Sequence, residues 1–143
     1  MTTILTRAIV RLLLPASFVT AAAVLVKGYA GAGDGFSAGV IAATGVLLQY
    51  VAFGVSAVEA RLPVQLAPRA VVMGLGLVLA VAFGPCLAGL PPLSHFPRPG
   101  AHVVTLGALE LHTAVLLDVG IFLVVLGFGV RVLSAVAHAG AAE

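Results

Sequence analysis

The chain has 143 residues, of which 62% are hydrophobic and 8% charged, and its mean hydropathy is +1.23. A soluble domain carries roughly 25% charged residues, so there is too little polar surface to cover a globule in water, and the solvent must be lipid. The formal charge of +2 comes from scattered Lys and Arg that form no basic patch, which argues against a nucleic-acid partner.

A bilayer core takes about 20 apolar residues of helix. Four segments meet that length, at residues 8–26, 37–58, 70–90 and 113–135. The expected fold is therefore all-α: an integral membrane protein with four transmembrane helices, forming one membrane domain over residues 1–143. In the first segment, Arg7 and Arg11 before a short apolar run resemble the start of a signal peptide. No clear A-x-A site follows before the next turn, so the segment is read as a retained helix. The stretch from Lys27 to Phe36, with its GAGDG, is a turn by glycine content.

The second segment carries a regular stripe. Ala38, Ala42, Gly45, Gln49, Ala52 and Ser56 recur at spacings of four and three, on one face, and every member is small or polar. Gly35, Gly39 and Ala43 add a small-xxx-small run beside it. In lipid no hydrophobic force joins helices, so close packing of small residues and interhelical hydrogen bonds must do so. The stripe is expected to be a contact seam.

Pro63 and Pro68 mark the connection between the second and third segments. Cys86, the one cysteine, lies in an apolar run beside Pro85 and is expected to be a buried, inert thiol. It excludes an internal disulfide and any cysteine-based metal site. PPLSHFPRPG and a polar stretch reaching His112 lead to the fourth segment. There is no tryptophan, which leaves Tyr29 and Tyr50 as interfacial anchors. In the fourth segment, Asp118 and Gly129 fall within about 20° of each other on a helix, and Gly120 and Gly127 lie together on nearly the opposite face. A helix with close-approach sites on two sides is expected to be sandwiched between others. So many seams imply further subunits.

Arg7, Arg11, Arg61, Arg69 and Arg131 fall on one side of such a four-helix protein, and only Lys27 and Arg98 on the other. That bias puts both termini in the cytoplasm, with the chain in the cell's inner (plasma) membrane.

Asp118 is the clear acidic residue inside a hydrophobic span, TAVLLDVGIFLVVLG. An intramembrane carboxylate costs several kcal/mol or stays protonated, so it marks an ion path or a buried polar contact. The sequence leaves both open. Glu110 and His112 precede it, and continuing the helix back would put Glu110 about 12 Å along the axis from Asp118. With His95 and His102 they would form a polar entrance or an interfacial set facing headgroups. Lys27 and Asp34 flank the glycine-rich turn, where Lys27 either snorkels to the interface or meets an acid. The histidines lack the spacing of a metal site, GAGDGFSAG lacks the Lys-Ser/Thr of a phosphate loop, and no nucleophile triad is present. No metal, cofactor or catalytic residue is expected, and the chain is not read as an enzyme.

The stretch from Lys27 to Gly54, KGYAGAGDGFSAGVIAATGVLLQYVAFG, resembles the hallmark segment of the B-subunit family of multisubunit Na+/H+ antiporters, of the Mrp/Mnh type. That family shows a basic residue and Gly, a short turn with PGGGF, and a small-residue helix ending near LQYLAFG. Lys27, Gly28, Gly33, Gly35, Phe36, Gly39, Leu48, Gln49, Tyr50, Phe53 and Gly54 match. LLDVGIFLVVLG is similar to the family's FDIGVFLVVLG, with Asp118, Gly120, Phe122 and Gly127 in register. Tyr29, Ala32 and Asp34 stand where the family has His, Pro and Gly.

The resemblance implies an accessory membrane subunit of a monovalent cation/proton antiporter, packed among other hydrophobic subunits, with Na+ and H+ as the ions of the assembly. Asp118, Glu110, His112, Lys27, Asp34 and Gln49 would serve the ion path or polar packing. Gly35, Gly39, Ala42, Gly45, Gly120, Gly127 and Gly129 would serve helix contacts. The same subunit type also implies an alternative, the membrane arm of a hydrogenase or related redox-driven pump. A small multidrug-type exporter is disfavoured, because the first helix has no acidic residue.

Overall fold

The computed structural model describes residues 3–27, 33–94, 105–106, 109–110 and 113–141. Among them, four helical stretches are long and apolar enough to cross a membrane. Helix α1 spans Ile4–Lys27 and α2 spans Gly35–Phe53. A short helix α3, Val55–Glu59, continues from α2 after a break. Helix α4, Ala67–Phe83, is entered through a 3-10 turn at Val64–Leu66 and left through another at Gly84–Ala88. The last helix, α5, spans Thr113–Ala141. Between α4 and α5, β1 (Thr105–Leu106) pairs antiparallel with β2 (Leu109–Glu110), so the all-α protein carries one minimal hairpin.

The boundaries differ from the sequence reading for local reasons. The second segment does not run unbroken to residue 58, because Gly54 adopts φ 78°, ψ 172°. That left-handed φ ends α2 and is tolerated by glycine because it has no Cβ. The amphipathic stripe ends with it: Ala38, Ala42, Gly45, Gln49 and Ala52 are buried, whereas Ser56 is exposed. Pro68 lies in the first turn of α4, where its missing N–H would have had no helical partner anyway. Pro15 sits inside α1 and the helix continues through it. Nearby, Ser17 and Thr20 donate to the carbonyls of Leu13 and Ala16 at 2.7 and 2.9 Å, satisfying their hydroxyls within the helix.

The helices form a row, in the order α1, α2, α5, α4. Helix α1 packs antiparallel on α2, with Ser17 against Gly45 and Ala21 between Ala38 and Ala42. Helix α5 runs parallel to α2, shown by Asp118 beside Gly35 at one end and Ser134 near Tyr50 at the other. Helix α4 packs antiparallel on the far side of α5, where Gly74 and Gly120 face each other. A Cβ on Gly74 would stand 2.6 Å from the Gly120 carbonyl oxygen, and one on Gly127 would stand 2.6 Å from that of Ala67. Backbones therefore meet directly, the contact that small residues allow in lipid.

This row confirms that α5 is sandwiched: Gly129 faces Ala43 of α2, and Gly120 and Gly127 face α4. The seams read from the sequence are closed within the chain itself, so neighbouring subunits would meet its outer faces instead. What stays open is the outside, where Leu5, Leu12, Val19 and Val26 of α1 and Val72, Met73 and Leu79 of α4 are exposed. Cys86 is also exposed, contrary to expectation, because the turn that carries it lies beyond the α4–α5 contact.

Candidate functional site

Among the described residues, two of the three buried polar or charged side chains, Asp118 and Ser134, lie at opposite ends of the α2–α5 seam; the third, Gln49, faces α1. At the first end, Asp118 is 4% exposed. Its carboxylate oxygen Oδ2 accepts a hydrogen bond from the Gly33 N–H at 3.1 Å. Gly33 directly precedes Asp34, the N-cap of α2. The carboxylate of one helix thus rests at the positive end of another, where unpaired N–H groups and the helix dipole favour negative charge. The close approach that permits this is made by Gly35, whose Cα lies against the Asp118 main chain. Asp34 is half-buried beside them, its side chain making no capping hydrogen bond. Lys27 is exposed in the last turn of α1, at the same end of the row and at the negative end of its own helix.

At the opposite end, Glu59 gathers three partners. Its Oε1 accepts from the Ser134 hydroxyl at 2.9 Å and from the Tyr50 hydroxyl at 3.3 Å. Its Oε2 lies 3.6 Å from Nε2 of His138. The His138 Nδ1 stands 2.8 Å from the Ser134 carbonyl oxygen. A carbonyl only accepts, so Nδ1 carries the proton, and Nε2 attracts the carboxylate only when the ring is charged. Tyr50 is therefore not an interfacial anchor but a buried group, 7% exposed, tied to the end of α3. The composition pointed to Glu59 weakly: it is one of five acidic residues, and Ser134 and His138 are four apart on a helix.

Gln49 belongs to neither cluster's chemistry. Its Nε2 donates to the Val10 carbonyl of α1 at 2.7 Å, a buried bond between helices. Along α2 it lies about 21 Å from Gly35 by helical rise. Glu110 ends β2 and does not extend α5, so the helical spacing to Asp118 does not apply. His95, His102, His112 and Tyr29 lie outside the described residues.

Between the two ends the seam is dry. Its α2 side is Gly39, Ala42, Ala43 and Val46, and its α5 side is Phe122, Val125, Leu126, Gly129 and Val130. None of these side chains has a hydrogen-bonding atom. By helical rise the gap from Asp118 to Ser134 is about 24 Å. Among the described residues there is no grouping of His, Cys, Asp and Glu that could hold a metal ion.

Residues 5–130 match the family described as a domain related to the MnhB subunit of Na+/H+ antiporters. The chain belongs to this MnhB family. The match runs from the first turn of α1 to Val130 of α5, so it takes in Asp118, Tyr50 and Glu59 and stops short of Ser134 and His138. Three relatives agree with it. The chain is 36% identical over 131 residues to a probable A/B subunit of a K+/H+ antiporter from Rhizobium meliloti, covering 91% of this chain but 13% of that protein. It is 30% identical to the B subunit of the Na+/H+ antiporter of Alkalihalophilus pseudofirmus, covering 78% of this chain and 76% of that one. It is 33% identical to the corresponding B subunit of Bacillus subtilis, covering 77% and 76%. As an MnhB-family chain with four spanning helices, it is a multi-pass membrane protein.

Proposed function

We propose that this chain is an accessory subunit of a multisubunit monovalent cation/proton antiporter in the plasma membrane, and that its own contribution is to hold the assembly's architecture. Membership of the MnhB family and the antiporter names of its relatives support the complex. The observation that carries the structural role is the dry seam between Asp118 and Glu59. Each buried polar side chain among the described residues is engaged in joining segments: Asp118 to the start of α2, Gln49 to α1, and Ser134 to the partly exposed Glu59 of α3. Among the described residues, the partner that Asp118 has is a backbone N–H at the start of α2, which fits a contact that joins two helices. On this reading Na+ or K+ and H+ cross elsewhere in the assembly. Asp118, Asp34 and Lys27 form one polar end, which faces the outside. The arginine-rich end and both termini face the cytoplasm.

The test is purification of the tagged chain from its native membrane in mild detergent, with co-purifying chains identified by mass spectrometry. Large antiporter-type subunits with several small hydrophobic ones are expected. Hydrogenase or other redox subunits, or a lone homo-oligomer, would overturn the proposal. The exposed outer faces of α1 and α4 are where the neighbouring subunits would bind.

A further inference from the structure

At the end of the row where α2 terminates, a cavity of about 150 Å³ opens between α1, α2 and the α3–α4 connection. Two arginines line it, Arg11 of α1 and Arg61 of the connection, together with Gln49 and apolar walls that include Leu14, Phe53 and Leu62. The Arg11 guanidinium is positioned by the Phe53 ring, 5.2 Å from its centroid. That contact holds a cation at a set place on a membrane-facing wall. Among the described residues, no carboxylate lines this cavity or pairs with either arginine. Glu59, close in sequence to Arg61, is engaged by Ser134 and Tyr50.

Leu62 forms part of a second wall as well. On its other side lies a groove of about 230 Å³ between α1 and α4, floored by Val46, Leu126 and Val130 and flanked by Phe18 and Ala70. This groove exists because the helices form a row, leaving α1 and α4 apart over the α2–α5 seam. A pocket holding two positive charges therefore adjoins an apolar trough, with one leucine between them. Neither an inorganic anion nor a neutral lipid complements both parts. An anionic amphiphile does, and basic pockets between transmembrane helices are suited to acidic headgroups.

We propose that this pair of cavities is a binding site for an anionic phospholipid. The headgroup phosphate lies between Arg11 and Arg61, and an acyl chain lies past Leu62 in the groove. The lipid would act as a wedge that fills the gap between α1 and α4, completing a packing that the chain leaves open. This goes beyond the antiporter reading and stands whichever complex the chain joins.

The test uses the full chain in mild detergent, stripped of lipid and then offered phosphatidylglycerol or phosphatidylcholine with identical acyl chains. Bound lipid is counted by native mass spectrometry. One phosphatidylglycerol per chain is expected, with phosphatidylcholine bound much more weakly. Each arginine near an anionic headgroup contributes roughly a fivefold change in affinity. Arg11→Gln with Arg61→Gln should thus weaken retention by about 25-fold, if the two act independently. The Arg11→Lys, Arg61→Lys chain should regain most of it. Arg69→Gln, the same charge change outside the pocket, should leave binding unaltered. Equal retention of the two lipids by the wild-type chain would overturn the proposal without any variant. So would displacement by inorganic phosphate at matching concentration, which would assign the pocket to a free anion. An intact assembly that carries no anionic lipid, while the separate chain does, would give the pocket to an acidic side chain of a neighbouring protein in the complex and also overturn it.

Discussion

Gly35 of α2 lies so close to Asp118 of α5 that a Cβ at Gly35 would fall on the Asp118 carbonyl group. This contact and the Gly33 N–H bond to the Asp118 carboxylate are one arrangement, since the backbones must touch for the side chain to reach the helix start. Gly35→Ala is therefore expected to push α2 from α5 and lower the accumulated chain severalfold in membranes. Gly76→Ala is the control, because nothing stands within 4 Å of a Cβ there. It should be neutral or stabilise α4 by up to about 1 kcal/mol. Immunoblotting of membranes and thermal denaturation of the purified chain would read both. Equal tolerance of the two substitutions would refute the seam.

Asp118→Asn keeps an oxygen to accept the Gly33 N–H but removes the charge. If the carboxylate serves packing, assembly and a large part of cation/proton exchange should survive in that variant. Asp118→Ala leaves the N–H unpaired and should destabilise by about 1–3 kcal/mol. Everted vesicles assayed with a pH-sensitive dye, alongside complex recovery, would check this. Full loss of exchange in an assembled Asp118→Asn complex would show a relay instead.

Gln49→Leu removes the bond to Val10 with little change in size. Interhelical hydrogen bonds in membranes contribute about 0.6 to 2 kcal/mol, so a loss in that range is expected from steric-trap or denaturant unfolding. Because the bond joins α1 to α2 alone, the α4–α5 contact should be unaffected.

Glu59→Ala strips the partner from two hydroxyls, Tyr50 and Ser134, and is expected to cost about 1–3 kcal/mol. Glu59→Gln retains an acceptor and should cost less. A double-mutant cycle of Glu59→Gln with His138→Ala should give a coupling of at most about 1 kcal/mol, since both side chains are partly exposed. A larger coupling would make this contact a principal link between α3 and α5.

The orientation is checked with a cysteine at Ala139 in a Cys86→Ser background, probed with an impermeant maleimide. Labelling in everted vesicles but not in intact cells is expected if the termini are cytoplasmic. The reverse pattern would invert the topology.

The four spans were legible because a run of apolar residues at bilayer length has no other stable solvent. The stripe from Ala38 to Ala52 was legible for a similar reason: small residues at helical spacing have little use in lipid except close approach. The two faces of α5 followed from the angles between Asp118, Gly129, Gly120 and Gly127. The Glu59 cluster was not legible, since Tyr50, Glu59, Ser134 and His138 come from separate segments and no spacing rule links the first two to the last two. Nor was the end of the stripe at Ala52, because it depends on the left-handed backbone at Gly54.

The sequence by itself determined the solvent, the number of spans, which faces of α2 and α5 approach other helices, and the family. These depend on composition and on residues close together along one helix. Only the tertiary structure decided which helix each face meets, that α2 and α5 run parallel, and that the chain closes these seams without help. It also decided that Asp118 ends on a backbone N–H, with a dry seam between it and Glu59. Those outcomes depend on the order in which four similar apolar cylinders line up. That order is set by contacts between distant segments, such as Gly35 with Asp118 and Gly74 with Gly120, to which periodicity within a single helix is blind.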